Sequence, residues 1–147
     1  GVVSFDNTMV GWIDRRLQFS WTREMPDEVV AIAIDPFGTH VAVAMVDGVN
    51  MVFNSTNGRY SRFESVRPLR HLSFLATSPN LMGAAEHGLI ARYNLTGSVI
   101  WSEKLWSNVG DMAVTGDGRH VFLASFTHGA QLFDGEAGVS RGTFVTE

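Results

Sequence analysis

The chain has 147 residues, 45% apolar and 18% charged, with a net charge of −4 and no cysteine. That balance suffices to bury a core, and it excludes a disordered chain, a disulfide framework and a thiolate metal site. It also lacks the concentrated Lys and Arg that nucleic acid or an anionic membrane attracts, and no apolar run nears the roughly 20 residues that span a bilayer, so neither partner is expected.

The chain opens at Gly1 rather than Met, as a processed or excised piece does, so the lack of a secretory signal leaves the compartment open. In chain order, strands are predicted at 2–5, 9–13 and 17–23, then at 29–34, 41–46, 49–53 and 60–66. The series continues at 72–76, 81–85, 89–93 and 99–105, and finally at 112–115, 121–126, 130–133 and 140–145, fifteen strands in all. Val, Ile, Phe, Trp and Tyr fill these runs, and Gly, Pro, Asn and Asp bound them. The first two runs of each unit are almost continuously apolar, which implies burial on both faces. The outer runs alternate, so Leu17, Phe19 and Trp21 are expected on one face. A two-residue type I′ turn is expected at Asp47-Gly48, where Gly supplies the positive φ.

The runs repeat. Turns at Asp6-Asn7, Asp47-Gly48, His87-Gly88 and His128-Gly129 are spaced 41, 40 and 41 residues apart. The aromatics Trp12, Phe53, Tyr93 and Phe133 keep spacings of 41, 40 and 40, with Asp14, Asn54, Asn94 and Asp134 close behind. Gly58, Gly97 and Gly138 mark a further turn, and His40 with His120 and Trp21 with Trp101 lie two periods apart. Units of about forty residues with four strands and doubly buried inner runs describe β-propeller blades. The predicted fold is all-β, a β-propeller fragment of about 3.5 four-stranded antiparallel blades in one partial domain, residues 1–147. The blades fall at 1–26 (incomplete), 27–68, 69–108 and 109–147.

The unit from Val30 through Asp35-Pro36-Phe37-Gly38-Thr39-His40-Val41 to Asp47-Gly48 and Phe53-Asn54 resembles the WD-repeat pattern. The next, Tyr93-Asn94-Leu95-Thr96-Gly97-Ser98-Val99-Ile100-Trp101, resembles a quinoprotein-type (PQQ-like) propeller repeat, in which a Gly turn leads to an outer-strand Trp. The Gly-His pair and the buried Asp-His-Ser-Trp network of WD repeats are not reproduced.

Closed propellers take about four to eight blades. Three whole blades and one lacking its inner strand leave an apolar flank bare at each end, and exposed flanks demand cover. Cover would come from more of the same polypeptide, from a second chain carrying the complementary half, or from a homo-oligomer.

No nucleophile, phosphate-loop or zinc-helix motif is present, nor a closely spaced carboxylate pair, so no catalytic residue, metal site or cofactor is expected. The histidines read as turn and strand-opening residues, with Glu86 the one obvious extra carboxylate. Asn54 and Asn94 fit the glycosylation pattern, but both fill the repeat position after the aromatic. The stronger candidates lie where loops between blades meet the turns between second and third strands. Arg67 and Arg70 flank Pro68 in one such loop with His71, Trp106 occupies the next, and Asp111 matches His71 in the repeat. Arg and Trp carry interface energy, which makes these five a partner-binding set. The expected function is a non-enzymatic protein-interaction scaffold or sensor. The alternatives are part of a propeller enzyme or small-molecule receptor whose site lies outside this segment, and a purely structural half-propeller, an engineered one included.

Overall fold

The computed structural model describes residues 1–126 and 129–144, with the side chains of Trp106, Ser107 and Phe144 outside the description. His128, a predicted turn residue, lies outside the described residues. Every regular element described is a strand: β1 (Val2–Phe5), β2 (Met9–Ile13), β3 (Phe19–Glu24), β4 (Val29–Ile34), β5 (His40–Met45), β6 (Val49–Asn54) and β7 (Tyr60–Glu64). These are followed by β8 (Leu69–Phe74), β9 (Asn80–Ala85), β10 (His87–Asn94), β11 (Val99–Val114), β12 (His120–Ser125), β13 (Gly129–Asp134) and β14 (Ser140–Phe144). They form a sheet β1-β2-β3, a sheet β4-β5-β6-β7 and a seven-stranded sheet β14-β13-β12-β11-β10-β9-β8, antiparallel throughout. The chain is a run of propeller blades, and its first sheet has three strands where the second has four.

Among the described residues fourteen strands replace the fifteen expected, because the predicted runs 99–105 and 112–115 belong to the single strand β11. The other two blade-to-blade connections contain Pro26 and Pro68, which remove a ladder N–H and fix φ. The third connection has no proline. There His87 pairs with Asn108, and Val109 N–H donates to Glu86 O at 2.8 Å, so the strand runs on into the next blade.

Three apolar seams hold the blades together. Val10, Met25, Val41, Val43, Met45, Met51 and Phe53 join the first to the second, with Trp12 and Trp21 against them. Ala42, Ala44, Val52 and Phe63 meet Leu69, Leu81, Ala91 and Tyr93 in the second seam. Met82, Ala84 and Ile90 meet Val109, Val121, Leu123 and Phe133 in the third. Within the middle seam the Phe63 and Tyr93 rings lie 4.8 Å apart, and burial pushes the Tyr93 phenol up to about 12. Gly97, at φ 94°, passes beneath the Phe63 ring, where an added Cβ would collide with it.

The second strands report which blades have two neighbours. β5 and β9 are buried at five consecutive positions, whereas in β12 buried Val121 and Leu123 alternate with exposed Phe122 and Ala124. One face of the last blade is therefore bare. The first blade is bare on its outward side, where Phe19 remains 52% exposed while packing on Gly11 and, at 5.3 Å, on Phe5.

Three local expectations change. Leu17 lies before β3 at φ 61°, and a bulge moves the register from Trp12↔Trp21 to Ile13↔Phe19. Trp21 consequently stacks on Trp12 in the seam while Phe19 turns to the bare flank, because one extra residue inverts strand parity. At Asp47-Gly48 only Gly48 has positive φ, and its N–H donates to Met45 O, as in a longer hairpin closed by a left-handed Gly. Asp6-Asn7 is the turn with both φ positive.

Candidate functional site

The polar repeat residues serve the loops. Oδ1 of Asp14, Asn54, Asn94 and Asp134 each accepts two or more backbone N–H bonds from the turn that follows. This is the Asx turn in which a short side chain stands in for a backbone carbonyl. The Arg141 guanidinium, 2.7 Å from Asp134, and the Ala137 and Glu136 N–H groups hold the Asp134 carboxyl down at about 2. His40 and His120 open β5 and β12. Asp35 accepts from Thr39 N–H, from the Thr39 hydroxyl and from His40 N–H, and its Oδ2 lies 3.3 Å from His40 Nδ1. Burial raises the Asp35 carboxyl, but these hydrogen bonds outweigh it and hold it below the ordinary carboxylate range. Among the described residues no three His, Asp or Glu side chains gather as metal ligands.

The opposite rim brings some of the five candidates together. Each complete inner strand has a bulge near its start: the register steps from Val29↔Met45 to Ala31↔Ala44, from Leu69↔Ala85 to His71↔Ala84, and from Val109↔Ser125 to Asp111↔Ala124. The residues set free are Val30, Arg70 and Gly110. A bulge re-aims a side chain, and Arg70 turns to the rim, where its Nε meets Glu86 Oε2 at 3.0 Å. Arg67, Pro68 and Arg70 line a shallow depression of about 150 Å³ with Ala85, Glu86 and His87. His87 Nδ1 lies 2.8 Å from Asn108 Oδ1, which ties this turn to β11.

The loop bearing Arg67 is pinned from below. Buried Asn50 donates through Nδ2 to Ser65 Oγ at 3.1 Å, and Ser65 Oγ donates to Arg67 O at 2.6 Å. Ser65 N–H also donates to Gly48 O, which fastens the loop to the hairpin turn beside it.

The remaining candidates do not join this depression. Leu69, Arg70 and His71 belong to β8 rather than to a loop, and half-buried His71 sits opposite Ala84 on the face toward the last blade. Trp106 lies within β11 rather than in a loop, and its side chain falls outside the described residues. Asp111 is exposed on the same strand and accepts the Met112 N–H at 2.8 Å. Its register partner Ala124 belongs to the bare face, so Asp111 and His71 match in the repeat but lie a blade apart.

Sequence reasoning missed the anchor between the last two blades. Arg92, 9% exposed, donates to Asn80 Oδ1, Gly135 O and Ser78 Oγ at 2.8, 2.9 and 3.1 Å, and Trp101 Nε1 donates to the same Gly135 O at 2.7 Å. The available signal was an Arg inside the apolar run Leu89-Ile90-Ala91-Arg92-Tyr93.

No protein-family model matches the sequence, and no curated protein matches it. Solved structures do: 1070 chains match, a breadth that speaks for a fold rather than an activity. One is the crystal structure of BamB from Moraxella catarrhalis, with a TM-score of 0.78 at 14% identity. The likeness covers 97% of this chain and 47% of that one. This chain therefore spans about half the length of that protein and has the fold of a β-propeller segment.

Proposed function

We propose that this chain is a non-catalytic propeller segment, with repeats of the WD-repeat or quinoprotein type, that binds a protein partner through the rim carrying Arg67 and Arg70. The observation behind this reading is the pinned loop. The Asn50–Ser65–Arg67 hydrogen-bond chain ends on the Arg67 carbonyl and fixes the backbone from which this exposed arginine projects beside Pro68, which lowers the backbone entropy lost on binding. Arg70 adds a second guanidinium already oriented by Glu86. His71, Trp106 and Asp111 are not part of this surface in the proposal, which rests on Arg67 and Arg70. The bare faces at Phe19 and Phe122 are completed by further blades or by another chain.

The test is Arg67→Ala with Arg70→Ala in one chain, assayed by pull-down from the protein's native source. The expected result is an unchanged melting temperature and a partner lost at least about tenfold, as for a modest hot spot. Full retention of the partner removes the assignment. A second reading makes the chain part of a propeller enzyme or small-molecule receptor. It is favoured by the span of about half of a larger propeller chain. A catalytic or cofactor motif in flanking sequence of the parent polypeptide would decide for it.

A further inference from the structure

At the rim opposite Arg67 the three seams are filled differently. Two residues before Asp14, Asn54 and Asn94, the strands β2, β6 and β10 each turn a side chain toward the following blade, and its register partner on the outer strand stands beside it. In the first seam these are Trp12 and Trp21, stacked with their centroids 6.2 Å apart, and in the third they are Arg92 and Trp101. In the middle seam they are Val52 and Ser61, the smallest pair of the three.

Between the middle two blades lies a cavity of about 290 Å³, lined by Asp35, Phe37 and His40 on one side and by Phe74, Pro79 and Leu95 on the other. It corresponds to the place of the Arg92 guanidinium one seam further on. Arg92 donates to Asn80 Oδ1 and Ser78 Oγ of its own blade and to Gly135 O of the next. His40 stands for Asn80, since it pairs with Asn54 as Asn80 pairs with Asn94. Leu95 stands for Gly135, since each directly follows the Asx residue.

The walls suit a cation. No Lys or Arg lines the cavity, whereas the Asp35 carboxylate does, and only 9% of it is exposed. His40 turns Nδ1 toward Asp35 and Thr39, and with the proton there the neutral ring keeps Nε2 as an acceptor, the part that Asn80 Oδ1 plays in the third seam. Phe37, 73% exposed, offers an aromatic ring to a guanidinium. Arg92 approaches Asn80 and Ser78 from the third seam, where Glu136 offsets its charge. The volume falls short of the roughly 300–1,000 Å³ of small-molecule sites, which favours a single side chain as the occupant.

We propose that this cavity binds the guanidinium of an arginine side chain from a partner protein, with His40 Nε2 and the Leu95 carbonyl accepting its N–H groups and Asp35 supplying the countercharge. The site lies on the other rim from Arg67 and does not rest on the reading given for that rim.

The test is an NMR titration of the isotopically labelled chain with capped Gly-Arg-Gly and with its citrulline counterpart, which keeps the shape and loses the charge. The arginine peptide should shift amides within residues 35–40 and 74–80 and at 95, and the citrulline peptide should bind at least about tenfold more weakly, the scale of one close charge pair. Asp35→Asn keeps an acceptor in the turn and should weaken the arginine peptide by a similar factor. Phe37→Ala, at an exposed ring, should weaken it about threefold with the melting temperature unchanged. Val52→Arg copies the third seam and should block the peptide. Absence of shifts, shifts centred elsewhere, or equal binding of citrulline overturns the proposal. Undiminished binding in Asp35→Asn does so too, and if that variant does not fold, undiminished binding in Phe37→Ala decides in its place. Methylguanidinium binding more tightly than the peptide overturns the partner arginine in favour of a free small cation.

Discussion

At the residue scale, the polar side chains act mainly on backbone. Asp134 illustrates the pH consequence: its folded carboxyl sits at about 2, against 3.8 for the free side chain. Its contribution to stability is therefore complete above about pH 4 and is lost as pH falls toward 2. A melting-temperature series over that window should flatten in Asp134→Ala relative to the parent. Asp35→Ala removes the acceptor of three turn hydrogen bonds and should cost about 1–3 kcal/mol, read by urea denaturation. Arg92→Leu strips the anchor of the last seam, leaves Asn80 Oδ1 without its guanidinium, and should cost roughly 2 kcal/mol. Because Trp101 still reaches Gly135, that variant should loosen the last blade without unfolding it, visible as faster hydrogen exchange over β12 and β13.

At the element scale, the repeat was legible because turn glycines, post-aromatic Asx residues and apolar runs obey local rules. What escaped depended on parity and register. Phe19 and Trp21 share a face only if no residue is inserted between them, and the bulge opposite Trp12 and Ile13 breaks that condition. The Arg70–Glu86 pair joins residues brought side by side only by the bulge in β8, which no spacing rule reports. The continuity of β11 did have a signal, the missing proline between residues 99 and 114, but it is a negative one. Asn108 stands one place before Val109, as Pro68 stands one place before Leu69 at the same register. Asn108→Pro should therefore be accommodated by the fold while opening the His87↔Asn108 pair. Hydrogen exchange at residues 106 and 107 should quicken while the three seams keep their protection.

At the scale of the molecule, the bare flanks dominate solution behaviour. Phe19 on the first blade and Phe122, 42% exposed, on the last present apolar surface at both ends of the arc. The isolated chain should associate with rising concentration in sedimentation velocity. Phe19→Lys with Phe122→Lys should shift it toward monomer with little change in melting temperature.

The slipped register at Val30, Arg70 and Gly110 has an evolutionary corollary. Each complete blade donates one position, at the same height around the arc, whose side chain is excused from the ladder. At exposed Arg70, substitution rewrites what the rim recognises without renegotiating how the blade folds, whereas Val30 is tied to the middle seam and an added Cβ at Gly110 would crowd the Phe126 ring, so recognition and architecture are separable at one of the three positions.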